Sequence, residues 1–471
     1  MEDSSADQAI ALFHLGAEQL QQQDHAAAEQ SFRQALVLDP QFAEAHANLG
    51  YLCDLAGALV EAEAHYRRAQ ALAPGNATIH LNLGALLALQ KRHAEAEACY
   101  AAALALEPQS SAVWSNLGVL KLNLKEEDTA DACLRQAIVL DPQNRKARFN
   151  LAYLQLRLGQ FEEGWALFEA RDWYRAMEQR FEFPRWQGEA LQGQALLLTY
   201  EAGHGDVIQF CRYVPLLKAR GAGPITLLCH PALKRLMHSL QGLDAVRGFD
   251  EPHQHSPAYA YWLPLLSLPF HRGTRADTVP AQLPYLQAEP ALCAQWSRHL
   301  PATRALRVGL VWKGNPQFEN DSDRSLPHLR NLAPLWQVAG VQFISLQKGA
   351  GEDEAAQCHA QQPLTDLGAG MQDFADAAAL VAQLDLVIAV DTAMAHLAGA
   401  MGRPCWLLLP WYMTDWRWGA QGSTSVWYPK IMRLFRQGAD GDWAPVLAEV
   451  AQALADLALL EPSRPQRATL D

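Results

Sequence analysis

The sequence predicts an all-α solenoid of helical repeats, followed by an α/β region of two doubly wound halves that face a cleft. Three observations support this fold class. Prolines recur every 34 residues in the first third of the chain, at Pro40, Pro74, Pro108 and Pro142. After about Leu191, short apolar runs alternate with helical stretches. The 471 residues, half of them apolar and 19% charged, are enough for roughly three domains.

The composition argues against several classes of protein. A net charge of -13 argues against nucleic acid as the main partner, because phosphate binding needs concentrated Lys and Arg. The acidic start MEDSSADQAIALF does not resemble a secretory signal, and the sequence lacks the long apolar run of a membrane span. The eight cysteines are scattered without a CxxC pair, which favours reduced thiols. We therefore expect a cytoplasmic protein without a membrane span.

The prolines close similar phrases, such as FRQALVLDP and LRQAIVLDP, and a 34-residue period is typical of tetratricopeptide repeats. Small residues at fixed offsets allow two helices to approach closely, and each proline ends the second helix of its unit. A fifth unit begins at Arg145, but FEEGWALFEARDW replaces the usual ending. We interpret this unit as the cap of a repeat domain over residues 1–172.

One column of the repeats bears on function. It is occupied by Asn48, Asn82, Asn116 and Asn150. Side-chain amides both donate and accept hydrogen bonds, so a ladder of them along the inner groove could hold the backbone of an extended polypeptide or a partner protein. The alternative is that these asparagines serve packing and local hydrogen bonds within the repeat.

The α/β region is predicted as two domains, residues 173–300 and 301–471. Strands are expected at 195–200, 225–230 and 245–249 in the first, and at 307–312, 341–346 and 385–390 in the second. Continuous apolar strands of this kind belong to parallel sheets covered on both faces. Ligands bind at the carboxyl ends of such strands, so the loops after 200, 312, 346, 390 and 410 should line the site.

The first candidate turn contains His204, Gly205 and Asp206, which follow a strand and open a helix. Glycine allows close approach of the backbone, and free N–H groups favour an anion. Asp206 is either a first-turn acid that complements the helix dipole or a general base for an acceptor hydroxyl. His204 is the second candidate base.

The second candidate turn contains Asp391 and Thr392, with His396 one turn later. Capping and core packing would explain these residues without a ligand, whereas a binding role would use the carboxylate, the hydroxyl and the free amides. Arg324 and Lys348 are candidate cations for a diphosphate, or else solvated surface charges. Asn315 lies in a loop between the two turns and is grouped with them.

An aromatic cluster at 411–418 and 426–429 would either stack a base or sugar, or seal a domain junction. The sequence lacks a GxxxxGK[ST] loop, HExxH, GxSxG and the kinase motifs. We therefore expect chemistry without a bound metal and without a cofactor.

Several phrases resemble glycosyltransferase family 9, the ADP-heptose heptosyltransferases. They are GHGDVIQFCRYVPLL, VGLVWKGNP, NDSDRSLP, FISLQKG, VDTAMAHLAGAMGRP, and DWRWG with WYP. Repeats followed by two Rossmann-like halves also resemble the plan of O-GlcNAc transferase, in which an asparagine ladder holds the polypeptide acceptor. The resemblance implies a GT-B fold and metal-independent, inverting transfer from a nucleotide sugar.

By position, the resemblance implies that Asp206 is the catalytic base and that Arg324 is a cation for the donor phosphates. Asp391, Thr392 and His396 match its donor-binding turn, with Gly205, Asn315 and Lys348 assigned to the same set. His204, Lys313, Phe318 and Ser322 depart from the family pattern and leave the donor's identity open.

Two alternatives remain beside a protein glycosyltransferase. One is a scaffold that binds a nucleotide sugar without catalysis. The other is a glycan or lipopolysaccharide transferase whose repeats bind a partner protein. The sequence leaves the formation of a homo-oligomer open.

Overall fold

The computed structural model describes residues 2–251, 259–357 and 363–460. The chain divides into two compact units, Met1–Leu154 and Gln155–Asp471. This division falls inside the fifth helical pair, whereas the sequence places the end of the repeat domain at residue 172.

None of the helices in the described ranges combines the length and the apolar character needed to cross a membrane. Cys358 lies outside the described residues, and the other seven cysteines are free thiols.

The first unit consists of antiparallel helical pairs in register with the 34-residue period. Its helices are α1 (Glu2–Gln21), α2 (His25–Leu38), α3 (Ala43–Leu55), α4 (Leu59–Leu72), α5 (Ala77–Leu89), α6 (His93–Leu106), α7 (Ser111–Asn123), α8 (Glu127–Leu140) and the start of α9 (Arg145–Arg157). Each pair packs on the next, and the first helices of successive pairs, α3 with α5 and α5 with α7, also contact one another. The predicted solenoid is confirmed.

A glycine column explains how the two helices of a pair approach each other. A Cβ atom added at Gly50 would lie 2.8 Å from the ring of Tyr66, and one added at Gly84 would lie 2.7 Å from the ring of Tyr100. The alanine columns at 28, 62, 96 and 130, and at 35, 69, 103 and 137, are fully buried. Small residues at these offsets therefore fix the spacing of the helices, as the sequence predicts.

The second unit contains helices and parallel strands in alternation. Its helices after α9 are α10 (Phe161–Phe168), α11 (Arg175–Glu178), α12 (His204–Phe210), α13 (Val214–Ala219), α14 (Pro231–Met237), α15 (Leu268–His271), α16 (Pro290–Ser297), α17 (Asp321–Arg324), α18 (Glu352–Ala356), α19 (Phe374–Val381), α20 (Ala393–Ala400) and α21 (Ala444–Leu460). Its strands are β1 (Leu196–Thr199), β2 (Ile225–Cys229), β3 (Ala245–Gly248), β4 (Tyr261–Pro264), β5 (Leu306–Val311), β6 (Val341–Ser345), β7 (Leu364–Asp366), β8 (Leu386–Val390), β9 (Cys405–Leu409) and β10 (Met432–Arg436).

The strands form two parallel sheets, in the orders β3-β2-β1-β4 and β10-β9-β8-β5-β6-β7. The central strands β1, β2, β5, β8 and β9 are buried along their whole length. Two parallel sheets with helical connections confirm the α/β part of the predicted fold class and are consistent with GT-B.

Three edge strands are absent from the sequence prediction, and one predicted helix is interrupted. β4, β7 and β10 lie at sheet edges, and partial exposure interrupts the apolar pattern of two of them: Arg433 is exposed within β10, and all of β7 is half-buried. β4 is buried from Trp262 to Pro264. The sequence VIQFCRYVPLLKARG (207–221) predicts one continuous helix that Gly221 ends. It consists instead of α12, a 3₁₀ turn and α13, with Pro215 in the first turn of α13. Proline lacks the N–H that a continuous helix would need at that position.

Helix α10, the second helix of the modified fifth repeat, belongs to the second unit. Its Trp165 contacts Phe210, Trp416 and Trp427 edge-to-face, at centroid distances of 6.4, 5.3 and 6.3 Å. Its indole N–H donates to the carbonyl of Thr274 at 3.1 Å. The unusual aromatic ending of the fifth repeat is therefore part of the core of the α/β unit.

Candidate active site

Two helix starts, one from each sheet, pack directly against each other. Helix α12 follows β1 and helix α20 follows β8, and the two helices are in contact. A Cβ atom added at Gly205 would lie 2.8 Å from Cδ2 of His396 and 3.5 Å from Cα of Ala393. Glycine at 205 therefore lets the two helices meet, which brings the predicted turns of the two halves into one site.

Asp206 lies in the first turn of α12 with its side chain only 18% exposed. Its Oδ2 accepts a hydrogen bond from the backbone N–H of Gly203 at 2.8 Å, and its Oδ1 pairs with the guanidinium of Arg417. Burial raises the pKa of Asp206, and the charge of Arg417 opposes that rise. Both carboxylate oxygens thus have a donor, and one of these donors comes from the opposite half.

Arg417 is the principal residue that the sequence analysis missed. Besides Asp206, its guanidinium donates to Oε1 of Gln209 at 2.6 Å and to Oδ2 of Asp415 at 2.9 Å. It also lies over the ring of Trp416, 4.6 Å from the centroid. Arg417 belongs to WYMTDWRW, which was read for its aromatic residues alone. A single arginine between buried tryptophans needs a carboxylate partner, and that requirement was the available clue.

Asp391 ends β8 and is held by the aromatic cluster. Its Oδ2 accepts from the indole N–H of Trp418 at 2.8 Å. The same indole ring stacks on the imidazole of His396, with centroids 5.2 Å apart and planes inclined by 28°. Nδ1 of His396 is 2.9 Å from the hydroxyl of Tyr428. The side chain of Trp418 therefore contacts two of the three predicted residues of this turn, Asp391 and His396.

The surroundings of this turn favour uncharged side chains. Burial raises the pKa of Asp391 to about 6, and repulsion from Asp415 acts in the same direction. Burial also holds the pKa of His396 well below its ordinary value, with further lowering by Arg417. Asp391 therefore changes its charge near neutral pH, while His396 stays neutral.

Thr392 follows the central strand β8, and Arg324 on α17 lies beside the same turn. Thr392 precedes the first residue of α20, and its buried Oγ1 has no hydrogen-bond partner among the described residues. Arg324 donates from Nη1 to the backbone carbonyl of Asp391 at 3.1 Å and from Nε to Oδ1 of Asp321 at 3.0 Å. Its guanidinium also lies 4.5 Å from the ring centroid of Phe318. A fixed cation thus stands beside the helix start.

His204 lies between aromatic rings from both halves. Its ring centroid is 4.3 Å from that of His230 and 5.2 Å from that of Phe374. Burial lowers the pKa of His204 to about 4, and His230 lowers it further, so the imidazole is neutral at pH 7. Its Nε2 has no hydrogen-bond partner within the described residues.

Two predicted donor-site residues have contacts elsewhere. Nζ of Lys348 donates to the carbonyl of Ala369 at 3.1 Å, and the side chain is 51% exposed. Asn315 is exposed, and its Oδ1 accepts from the backbone N–H of Gln317 at 3.0 Å, which stabilises its own loop. These contacts do not connect either residue to the Asp391 turn.

The asparagine column of the repeats lies on first helices of the pairs, α3, α5, α7 and α9. All four side chains are half-buried, and none of them makes a hydrogen bond to another described residue. Local hydrogen bonding therefore does not account for this column, and its amide groups keep their donors and acceptors.

The aromatic cluster at 411–418 and 426–429 mainly seals the unit. Trp416, Trp418, Trp427 and Tyr428 are almost completely buried and pack on α10, α12 and α20 residues. Sealing, rather than stacking of a ligand, is the role that their burial supports.

Family comparisons agree with this division of the chain. Residues 13–77, 55–120 and 111–144 match tetratricopeptide repeat families. Residues 327–407 match glycosyltransferase family 9 (heptosyltransferase). The glycosyltransferase match includes Asp391, Thr392 and His396. The chain therefore carries tetratricopeptide repeats and, over residues 327–407, a region that matches the heptosyltransferase family of glycosyltransferases.

Protein FlbA of Caulobacter vibrioides is 30% identical to the chain over 334 residues, which are 64% of this chain and 53% of FlbA. The chain thus spans about half the length of the curated relative that it matches. Among solved structures, PilF of Pseudomonas aeruginosa is 26% identical over 38% of this chain and 87% of its own, with a TM-score of 0.33. The type IV pilus biogenesis factor PilW is 24% identical over 37% of this chain and 79% of its own, with a TM-score of 0.34.

Proposed function

We propose that the chain transfers a sugar from a nucleotide-sugar donor to a polypeptide acceptor held by its repeats, without a metal and with inversion at the anomeric carbon. The observation that carries the proposal is the junction of the two helix starts. It brings Asp206 of one half, which pairs with Arg417, beside the Asp391 turn of the other, within a unit whose residues 327–407 match a glycosyltransferase family.

The donor end of the reaction rests on the Asp391 turn. When the bond between the sugar and the phosphate breaks, its electron pair and the negative charge go to the leaving nucleoside diphosphate. The free amides at the start of α20, the unpartnered hydroxyl of Thr392 and the guanidinium of Arg324 can stabilise that charge. In this proposal the protein's own donors replace a metal ion at the diphosphate.

The acceptor end rests on Asp206. A base removes the proton of the acceptor hydroxyl as its oxygen bonds to the anomeric carbon on the face opposite the diphosphate. Each oxygen of Asp206 accepts one hydrogen bond, from Gly203 or from Arg417, and keeps a second lone pair that can accept from the acceptor hydroxyl. His204 is the second candidate, but a pKa of about 4 makes it a weak base.

The first experiment tests the enzyme. The full chain is incubated with a panel of nucleotide sugars, and release of the nucleoside diphosphate is measured. Asp206→Asn should lower turnover by about 10²–10⁴-fold and Arg324→Ala by about 10²–10³-fold. Arg433→Ala is the matched control, because Arg433 pairs with Glu449 at the surface. Full activity in both site variants would contradict the site, and nucleotide binding without any turnover would favour the scaffold alternative.

The second experiment tests the acceptor. The double variant Asn82→Ala with Asn116→Ala removes two adjacent amides of the groove. Transfer to a polypeptide should then fall. Hydrolysis of the nucleotide sugar by water, measured as release of the nucleoside diphosphate, should stay unchanged and serves as the internal control. Unchanged transfer to the polypeptide would contradict the holding role of these asparagines, and a wild type that transfers only to a glycan would favour the alternative in which the repeats bind a partner protein.

A further inference from the structure

The second helical pair contains a group of side chains of the type that binds metals. Within the described parts of the chain, one such trio brings its ligand atoms within 4.8 Å of one another: the thiol of Cys53, a carboxylate oxygen of Glu61 and a ring nitrogen of His65. Cys53 lies in the last turn of α3, and Glu61 and His65 lie one turn apart on α4. Because the thiol comes from the other helix, spacing along the sequence does not reveal the group.

Hydrogen bonds fix which nitrogen of His65 carries the proton. Nε2 of His46 lies 3.2 Å from the carbonyl oxygen of Pro40, which can only accept, so this nitrogen is protonated. In neutral His46, Nδ1 is then an acceptor, and it lies 3.0 Å from Nδ1 of His65. Nδ1 of His65 must therefore carry the hydrogen, which leaves a lone pair on its Nε2.

That lone pair faces another electron donor. Nε2 of His65 is 3.8 Å from Oε1 of Glu61, which is too long for a hydrogen bond. Two electron-rich atoms thus face each other beside the thiol of Cys53 without a proton between them. A cation placed among the three would satisfy all of them.

The next repeat provides an internal comparison. His80, 34 positions after His46, places Nε2 2.8 Å from the carbonyl of Pro74 and Nδ1 3.1 Å from the side-chain amide of Gln70. The amide donates, so His80 has the same tautomer as His46. However, Leu87 and Cys99 stand where the second repeat has Cys53 and His65. The histidine tautomer thus belongs to both repeats, while the group of three belongs to the second alone.

The site is reachable from solvent and is not closed by Arg33. Arg33 donates to Oε1 of Glu61 at 2.7 Å, and Oε2 accepts no hydrogen bond from a described residue. The Glu61 side chain is 46% exposed and that of His65 is 16% exposed, whereas Cys53 is buried. A metal ion could therefore enter beside Glu61 and keep water as its fourth ligand.

We propose that Cys53, Glu61 and His65 bind one Zn²⁺ ion that links α3 to α4. One sulfur, one nitrogen and one oxygen are ligands that zinc accepts in tetrahedral geometry. Tetrahedral zinc holds its ligand atoms about 3.3–3.8 Å apart, so the side chains close by about 1 Å on binding. Binding releases the thiol proton of Cys53, and His46 orients the His65 ring through its hydrogen bond.

The test uses the untagged full chain after removal of metal with a chelator. Zn²⁺ is titrated against a chromophoric competitor, and Co²⁺ serves as the spectroscopic probe. One equivalent of Zn²⁺ should bind, and Co²⁺ should give a thiolate charge-transfer band. Cys53→Ser should abolish that band, and His65→Ala should weaken Zn²⁺ binding by more than about 100-fold. Cys99→Ser, which removes a buried thiol of the next repeat outside the group of three, should change neither the Co²⁺ band nor the Zn²⁺ affinity.

His46→Gln tests the orienting hydrogen bond and should weaken binding by about 10–100-fold while the Co²⁺ band remains. Circular dichroism verifies that each variant is folded. If Cys53→Ser does not fold, Glu61→Gln replaces it, because it preserves the contact with Arg33 and should still weaken binding about tenfold or more. Uptake that is unchanged in these variants, or that appears only at millimolar Zn²⁺, would overturn the proposal.

Discussion

Both the repeat unit and the α/β unit contain helices that approach each other closely at a glycine, but the contacting residues differ in their separation along the chain. In both, a glycine lets two helices meet: Gly84 faces the ring of Tyr100 in a repeat, and Gly205 faces His396 at the candidate site. The first contact joins residues 16 positions apart and has counterparts in the neighbouring repeats. The second joins residues almost 200 positions apart and has no equivalent in the other unit.

The two units differ in how many equivalent contacts support each structural feature. The repeats distribute stability over similar contacts, so the loss of one contact leaves its neighbours in place. The candidate site depends on single residues such as Arg417, which pairs with Asp206 across a sequence separation of 211. One substitution there should affect stability and activity together, whereas one at a helix–helix contact inside a repeat should affect stability alone.

The largest expected effect is that of Arg417→Ala. It leaves the carboxylates of Asp206 and Asp415 without their buried cation, which should cost about 3–5 kcal/mol of stability and at least about 100-fold in turnover. Chemical denaturation and nucleoside diphosphate release measure the two effects. The control is Arg433→Ala, since that side chain is 45% exposed. An equal, small loss in both variants would contradict the dependence of the candidate site on Arg417.

The second effect concerns pH. Folding raises the pKa of Asp391 from 3.8 to about 6, so the folded chain retains a proton that the unfolded chain releases. This carboxyl therefore lowers stability as the pH rises from 4 to 6, by up to about 3 kcal/mol above pH 6. Asp391→Asn should be more stable than the wild type at pH 8 and equal to it at pH 4. Melting curves measured at both pH values test this, and a pH-independent difference would contradict it.

The third effect compares the two glycines directly. Gly84→Ala pushes against the ring of Tyr100 and should cost about 1–3 kcal/mol of stability without loss of turnover. The added methyl group in Gly205→Ala pushes against His396 and should lower both the stability and the turnover. Gly75→Ala is the control, because no atom lies within 4 Å of its added Cβ. Unchanged turnover in folded Gly205→Ala would show that the site tolerates movement of the two helices.

The smallest effect is expected for Lys348→Ala. Its contacts with Ala369 and Glu352 are near the surface, so its loss should change turnover by less than about fivefold, equivalent to about 1 kcal/mol. Arg324→Ala, measured in the same assay, is the comparison. A loss as large as that of Arg324→Ala would return Lys348 to the donor site.

The sequence by itself determined the repeats and most of the strands. The 34-residue period, the glycine and alanine columns and the buried central strands all reflect local patterns, because each helix or strand must bury one face. It also located the Asp206 and Asp391 turns, since both follow buried strands and open helices. It did not reveal the edge strands β4, β7 and β10. The side chains of β7 and β10 are partly exposed and lack a clear apolar pattern, whereas β4 is a short strand that is mostly buried.

Only the tertiary structure decided which distant residues share a site. Arg417 lies far from Asp206 along the chain, and the thiol of Cys53 reaches His65 only because α3 and α4 pack antiparallel. The tertiary structure likewise gave Lys348 and Asn315 contacts away from the Asp391 turn, although their sequence context grouped them with it. The physical reason is that periodicity reports which face of an element is buried, whereas ion pairs and metal ligands depend on distances between elements that no local pattern records.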